Sequence, residues 1–544
     1  MSQLLLLLST FAASLITSTT AAPNILLILA DDLEMDFKQD RRALMPHLTT
    51  FRESGVSFVN HIAADPLCGP SRTTILSGRY PHNSGYKMND DIPSIAAWRA
   101  VQNNTVGTWL THANYSTTYL GKYINGLETD VPSGWNQYLG FDGVLGTYNY
   151  YNAKQFNVTF NGANGQVQTS PVTSTLKTGV HQADFLATQT VDAMRAAAAL
   201  QKPFFIHLAP VMIHYGTCWG PYIDVFRYNL TDPFWETSLS LGFGCNASST
   251  QHCNFEMSPC VSERNAHIAD GLTNPHTPAW NTSATGIIPP SMNLTSATDY
   301  EMERQDIGFR NRTGSARDLD DMLGVIFDGL AELGLENNTI VIVTSDNGYH
   351  LNEKKLIMGK EHPYDTDVHV PFYIRGPGIA PNSTSLLPTT HLDLTATILE
   401  LAGAQSYGPP LDGLSFASAL TATPPINPSD WRNFSFAENS DEETTWILLR
   451  RPLAASPGTV NADDAQTSFH WWCANVSEVF DLEADVWQLS NLAGATPRGD
   501  AITLKSLPLA IALASCAGIN CSIPIPLSVL PSNPLPCYKT KRIL

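Results

Sequence analysis

Short apolar runs that stop at charged or amide residues constrain this chain more than any other feature of it. Asn24–Ala30 (NILLILA) is unbroken and apolar, too short for a helix, and reads as a strand buried on both faces of a parallel sheet. It ends directly in Asp31-Asp32. Ser116–Leu120 ends in Gly121-Lys122-Tyr123, Phe204–Leu208 is followed by His214, and Thr339–Val343 leads into Thr344-Ser345-Asp346-Asn347-Gly348. Lys360 lies in a loop before a further strand, Val370–Arg375. Open α/β sheets place ligands beyond the carboxyl ends of their strands. Any one of these residues alone reads as a solvated turn or surface residue; together, one face of one sheet can collect them all. Adjacent carboxylates such as Asp31 and Asp32 repel unless a cation joins them, and hard oxygen ligands suit Ca²⁺ or Mg²⁺. Leu319, Met322, Leu323, Ile326, Phe327, Leu330 and Leu333 mark an amphipathic helix. Alternating strands and helices over residues 23–410 predict an α/β fold, a large mostly parallel sheet flanked by helices.

The second constraint is Leu67-Cys68-Gly69-Pro70-Ser71-Arg72. Val56–Asn60 reads as a short strand, His61–Pro66 as a loop, and Pro70 suits the first turn of a helix. A small side chain at position 68 then meets free backbone N–H groups and the positive helix end, which favour an anion. Arg72 lies one turn further on, close enough to hold whatever Cys68 becomes. Read alone, these residues also allow a buried or disulfide-bonded cysteine beside a helix start.

A chain of 544 residues suggests two domains. The formal net charge of −19 speaks against nucleic acid or another polyanion held by bulk charge, so an anionic substrate needs a local cluster of cations or a metal. Residues 1–22 read as a secretory signal, with an apolar core and Thr19-Thr20-Ala21-Ala22 for cleavage. Thirteen Asn-x-Ser/Thr sequons support export to an extracellular, cell-wall or lysosome-like address. Residues 217–300 read as a Cys/Asn-rich insertion near the mouth of the site, with His276 and Trp280 as weak substrate-side candidates. Ala422–Pro428 reads as a linker between a catalytic domain over 23–421 and a smaller α+β domain over 429–544. The late apolar helix near Ile502–Ser515 carries Lys505 and Pro508 and does not read as a membrane span.

Cys-x-Pro-Ser-Arg, followed by Leu76, Gly78, Arg79, Tyr80 and Pro81, resembles the sulfatase signature. The likeness continues in Asp31-Asp32, Gly121-Lys122-Tyr123, Ala209-Pro210 with His214, Ser345 to His350, and Lys360 with Arg375-Gly376-Pro377-Gly378. The wording is closest to N-acetylglucosamine-6-sulfatases and their arylsulfatase relatives. The resemblance implies an alkaline-phosphatase-like sandwich and hydrolysis of a sulfate monoester, on a small molecule or a glycan. It implies that Cys68 is oxidised to formylglycine by a formylglycine-generating enzyme. Asp31, Asp32, Asp346 and Asn347 with position 68 are implied to hold Ca²⁺, or Mg²⁺. Arg72 and Lys122 are implied to steady the formylglycine, while His214 and Lys360 hold sulfate oxygens and protonate the leaving oxygen. Many sulfatases have a histidine two residues after the first lysine; here that place is Ile124, with Asn125 the nearest stand-in. With Cys68 set aside, the nine cysteines leave an even eight for disulfides, and Cys516 and Cys521 are near enough for a small loop. Two other readings follow the same residues: a phosphodiesterase or phosphonate monoester hydrolase, or a secreted glycan-binding protein whose Cys68 stays a thiol.

Overall fold

The computed structural model describes residues 22–35, 41–127, 130, 132–141, 150, 154–160, 167–175, 180–216, 259–421, 431–440, 445–452 and 466–521. The proposed signal up to residue 21, half of the Cys/Asn-rich insertion (217–258) and the linker at 422–428 lie outside them. Ten strands form the main sheet: β1 (Asn24–Ala30), β2 (Val56–Phe58), β3 (Ser116–Gly121), β4 (Gln137–Phe141), β5 (Lys154–Phe160), β6 (Val167–Thr175), β7 (Phe204–Ala209), β8 (Thr339–Ser345), β9 (Phe372–Arg375) and β10 (Ser383–Ser385). Their order is β10-β2-β9-β8-β1-β7-β3-β4-β5-β6. The middle is parallel, β8-β1-β7-β3-β4, as the apolar runs predict. The expected strand at 370–375 joins antiparallel between β8 and β2.

Strand β1 shows how the two faces are made. Leu26, Ile28 and Ala30 pack into one cluster with Leu319, Met322, Leu323 and Ile326 of helix α3 (Asp299–Glu332) and with Leu186 and Met194 of α2 (Gln182–Ala199). Ile25, Leu27 and Leu29 pack into the other, with Ile75 and Leu76 of α1 (Cys68–Ser77) and Leu394 and Ile398 of α4 (His391–Leu401). Period-2 alternation thus buries both faces of one strand, giving a three-layer sandwich. Helix α3 runs 34 residues, far beyond the stripe 319–333, and starts at a capping box in which Thr298 and Glu301 exchange hydrogen bonds.

A separate four-stranded antiparallel sheet follows: β11 (Ser435–Asn439), β12 (Trp446–Arg450), β13 (Thr467–Trp472) and β14 (Val476–Asp481). Helix α5 (Pro497–Leu513) covers it through Ile502, Ala510 and Leu513. Ala64, Tyr80 and Leu392 of the large unit join the same apolar cluster, so the small sheet is seated beside the Cys68 helix. Cys516 and Cys521 form the expected local disulfide, and Cys260 and Cys473 are disulfide-bonded as well. No described helix is long and apolar enough to cross a membrane.

Candidate active site

Strand β1 runs out at Ala30 and delivers Asp31 and Asp32, both fully buried. Asp32 sits in the left-handed region (φ 65°), which aspartate tolerates better than most residues with a Cβ. The Asp31 N–H donates to Met212 O at 3.0 Å, and the Ile213 N–H donates to Asp31 O at 2.7 Å. This lacing fixes the turn after β7, and His214 Nε2 comes within 3.9 Å of Asp32 Oδ2. On the other side, parallel register sets Ala30 beside Ser345, and the Asp346 N–H donates to Ala30 O at 3.0 Å. Asp346-Asn347 therefore lies next to Asp31-Asp32.

Helix α1 brings in position 68. Cys68 is its first residue, and every residue from Cys68 to Ser77 is buried. Ser71 Oγ donates to Asp346 O at 2.6 Å and meets His391 Nδ1 at 3.0 Å. Arg72 is a three-way brace. Its Nε donates to Asp346 Oδ2 at 2.9 Å, its Nη2 lies 3.3 Å from Asp31 Oδ2, and its Nη1 donates to Lys122 O at 2.9 Å. Tyr119 Oη donates to that same carbonyl at 2.6 Å, and Lys122 Nζ reaches Asp31 Oδ2 at 2.6 Å. Lys360 Nζ is 2.5 Å from Asp32 Oδ1 and 2.7 Å from Cys68 Sγ. All nine residues given catalytic, sulfate-binding or metal-ligand roles from the sequence fall in this one group.

Charge balance follows from the pairing. Burial drives the Asp31 carboxyl upward, but Lys122, His214 and Arg72 together outweigh it and hold it below the usual range. Asp32 behaves alike: burial opposes and Lys360 and His214 win. Burial, helped by Asp31, pushes the Cys68 thiol up to about 12, and burial pulls the His214 imidazole down to about 4.

The donor set fits a hard divalent cation. Asn347 Nδ2 donates to Asp32 Oδ1 at 2.6 Å and to Gly348 O at 2.8 Å, which commits the amide nitrogen and turns Oδ1 elsewhere. Asn347 Oδ1 and Asp32 Oδ2 are buried with no hydrogen-bond partner among the described residues. Buried oxygens are seldom left so. Donor atoms of Asp31, Asp32, Cys68 and His214 lie within 4.8 Å of one another. Carboxylate and amide oxygens are the ligands Ca²⁺ and Mg²⁺ take.

The group opens into a cavity of about 610 Å³ lined by Asp32, Cys68, His214 and Lys360, and further out by Asn89, Asp90, Asn125, Tyr215, Glu301, Lys355, His350 and His362. Ile124 is buried in the aromatic core and Asn125 reaches the cavity wall. Ser291, Leu294, Thr295, Ser296 and Ala297 line the mouth, whereas His276 and Trp280 are not lining residues and stack on each other at 3.6 Å.

Sequence reasoning passed over Arg312. From α3 its Nη2 donates to Asp32 O at 2.8 Å, it pairs with Glu34, and its guanidinium lies 4.2 Å over the Tyr349 ring. The available signal is its place in the buried stripe Phe309, Arg312, Ala316, Leu319, where a cation needs a reason.

The Sulfatase family model matches residues 23–404. The chain belongs to the sulfatase family. An arylsulfatase of Volvox carteri is 27% identical over 94% of this chain and 78% of its own length. The human N-acetylglucosamine-6-sulfatase is 26% identical over 94% of this chain and 87% of its own. A solved structure in complex with its substrate, D-glucosamine-2-N,6-O-disulfate, has a TM-score of 0.60 at 17% identity, covering 91% of this chain and 97% of that one; it shares the fold. This sulfatase is a sulfuric ester hydrolase.

Proposed function

We propose that this sulfatase removes sulfate from a sulfated hexosamine or aryl alcohol, with Cys68 present as formylglycine and a divalent cation, Ca²⁺ before Mg²⁺, beside it. The convergence of Arg72, Lys122 and Lys360 on position 68 and on Asp31, Asp32 and Asp346, with Asn347 hydrogen-bonded to Asp32 beside them, carries this reading. The relatives named arylsulfatase and N-acetylglucosamine-6-sulfatase, and the neighbour bound to a glucosamine disulfate, support the substrate class. We assign the catalytic unit to residues 23–421 and the smaller unit to 429–544, where Trp446 Nε1 donates to the carbonyl of the cavity-lining Glu361 at 2.8 Å.

A sulfate monoester repels nucleophiles through its anionic oxygens, so the site must neutralise charge before sulfur can be attacked. A cation held by Asp31, Asp32, Asp346 and Asn347 supplies Lewis acidity that lowers a hydroxyl pKa and screens the sulfate. Hydrated formylglycine supplies two geminal hydroxyls, one to accept the sulfuryl group and one whose deprotonation expels it. Arg72 fixes the two carboxylates that flank position 68, and Lys122 offsets the charge of Asp31. His214 and Lys360 hold sulfate oxygens, Lys360 from 2.7 Å off position 68. Cys68 is buried in the fold, so the formylglycine-generating enzyme works on the chain before folding is complete.

Export is the second half of the reading. Asn103, Asn114, Asn293, Asn337, Asn382, Asn433, Asn475 and Asn520, all in sequons, are exposed, as glycan attachment requires. The disulfides agree with an oxidising compartment.

The test is mass spectrometry of the tryptic peptide Glu53–Arg72 from secreted protein, with hydrazide trapping of an aldehyde, together with assays on aryl sulfate, N-acetylglucosamine 6-sulfate and an aryl phosphate diester. An aldehyde at position 68 with turnover of the sulfates is the expected result. An unmodified Cys68, or preference for the phosphate diester, sinks the reading.

A further inference from the structure

Most polar side chains in the outer wall of the cavity that holds Cys68 are spoken for. His350 Nδ1 is 2.9 Å from Asp367 Oδ1, and the His362 backbone N–H donates to Asp367 Oδ2 at 3.0 Å. Glu301 closes the cap of α3 with Thr298, and Lys355 Nζ lies 3.4 Å from the Leu294 carbonyl. Asn89 and Asp90 differ. Among the described residues Asn89 makes a single hydrogen bond, and Asp90 makes no hydrogen bond or ion pair.

The turn that carries them is fixed against the residue next to position 68. The Gly69 N–H donates to Asn89 Oδ1 at 2.9 Å. That N–H can only donate, so Oδ1 takes it and Nδ2 stays available as a donor on the cavity wall. Nothing larger than glycine fits at position 69: a Cβ there would come within 2.4 Å of both Asn89 Oδ1 and the Tyr86 ring. Tyr86 Oη in turn donates to Asn125 O at 2.5 Å. Lys87 and Met88 donate their N–H groups to Ser94 Oγ, and Asp91 Oδ2 caps the helix Ile92–Val101 by accepting from the Ser94 N–H at 2.8 Å. Between these anchors Asp90 faces solvent on a left-handed backbone (φ 57°). Its Oδ1 stands 3.2 Å from the place a Cβ at Gly126 would take, next to Asn125 in the same wall.

A carboxylate repels sulfate, so Asp90 does not serve the anionic end of the substrate. Partial burial already raises its carboxyl above the usual range, with Lys122 pulling the other way. A bound ester buries it further, and a buried carboxylate is costly unless donors meet it. An aryl ring brings no donor. A sugar brings neighbouring hydroxyls, which can donate to the carboxylate and accept from Asn89 Nδ2. We propose that Asp90 is a specificity-determining residue that accepts hydrogen bonds from the hydroxyls of the alcohol part and so selects a sugar sulfate over an aryl sulfate, with Asn89 tying its turn to position 68. This rests on the sulfatase reading above and narrows its substrate class; His214 and Lys360 keep their roles at the sulfate and its leaving oxygen. A site built to hydrogen-bond a hydroxyl rejects the analogue that lacks one, because its own polar group is then left unpaired.

The test measures kcat and KM for N-acetylglucosamine 6-sulfate and 4-nitrophenyl sulfate in wild type, D90N and D90G, with Tm to show that each is folded. D90G removes the carboxylate and leaves the left-handed backbone at ease. On the sugar ester D90G should lose ~10–100-fold in kcat/KM, the usual worth of hydrogen bonds to a charged group, and D90N less, since its amide oxygen still accepts. On the aryl ester kcat/KM should hold or rise by up to about tenfold, because no carboxylate is then buried unpaired. A similar loss on both esters, a gain on both, or no loss on the sugar ester overturns the Asp90 assignment and leaves the sulfatase reading standing. So does a wild type that turns over the aryl ester alone. A wild type carrying the aldehyde but inactive on both esters overturns the sulfatase reading, and this assignment with it.

Discussion

Arg72 and Asp346 are 274 residues apart in the chain, yet the guanidinium Nε donates to the carboxylate at 2.9 Å and Nη2 lies 2.8 Å from the same oxygen. The bond ties the helix of position 68 to the strand end bearing the second half of the cation ligands. Both side chains are buried, and burial is the larger influence opposing the Arg72 charge, outweighed by Asp346 and Asp31. R72K should therefore fail although it keeps the charge, because an ammonium cannot bridge two carboxylates and a carbonyl with one planar fork. We expect kcat/KM on aryl sulfate to drop at least ~100-fold and stability to fall by about 3–5 kcal/mol, the usual cost of breaking a buried ion pair. Denaturant melts and steady-state kinetics on R72K check both; wild-type stability would mean the brace is dispensable.

The orphan oxygens of Asp32 and Asn347 predict that the folded protein is stabilised by divalent cation. A ligand binding only the native state at ~100 times its Kd adds about 2.7 kcal/mol. Tm should rise with Ca²⁺, fall on adding a chelator, and respond little in N347A and D32N. A flat Tm in wild type across the titration would remove the cation from this site.

How much of this was legible follows from the same residues. Strand β1 and its Asp31-Asp32 terminus could be read directly, because the six apolar residues Ile25–Ala30 run without a polar interruption, have one sensible home, and end at the sheet's mouth. Asp346-Asn347 and Lys122 were legible for the same reason. Arg312 was not: a charged residue in a long amphipathic helix looks solvated until its register against Phe309 and Ala316 is followed. The first half of α3 was missed because its polar turns, starting at the Thr298–Glu301 box, carry no apolar period. His350, His362 and Asp367 were illegible as a group, since only the turn at Glu361 and the short pairing of His350 with Gly359 bring them together. His276 and Trp280 read as substrate-side candidates because they lie in the insertion expected near the mouth of the site, but their loop stacks them on each other.

His82 joins the Cys68 side of the molecule to the small sheet, its Nδ1 lying 2.8 Å from Glu438 Oε1. Burial pulls its imidazole down, but Glu438 outweighs that and leaves the folded value raised. A raised histidine stabilises the fold fully below its unfolded value of ~6.5 and loses that contribution as pH climbs through the folded value. The Tm gap between wild type and H82N should accordingly be wide at pH 5.5 and narrow at pH 8.5. A gap that is constant or widens with pH contradicts the pairing.

The Cys516–Cys521 disulfide closes a loop of only a few residues at the end of α5, where the Cys516 carbonyl also accepts from Asn83 at 2.9 Å. Short loops gain little from closure, about 2 kcal/mol by chain entropy. C516S/C521S should lower stability by roughly that amount while kcat on aryl sulfate holds, measured by chemical denaturation and kinetics on the same preparation. A large loss of kcat would show that the staple shapes the cavity.

Position 68 offers the sharpest contrast between the two forms the chain can take. As a thiol, Cys68 is pushed up to about 12, by burial first and Asp31 second, with Lys122 and Lys360 pulling the other way. At pH 8 such a thiol is ionised to about one part in 10⁴, roughly 10³-fold less than an ordinary cysteine thiol, and the thiolate is the reactive form. Protein made without the aldehyde should thus resist iodoacetamide at pH 8 in the folded state, react at once when unfolded, and hydrolyse no sulfate ester. C68S should be equally inactive, because one hydroxyl can accept the sulfuryl group but has no geminal partner to expel it. It should then hold sulfate covalently, visible as added mass on the peptide Glu53–Arg72. Full turnover by C68S, or by the unmodified thiol, would place the nucleophile elsewhere in the cavity.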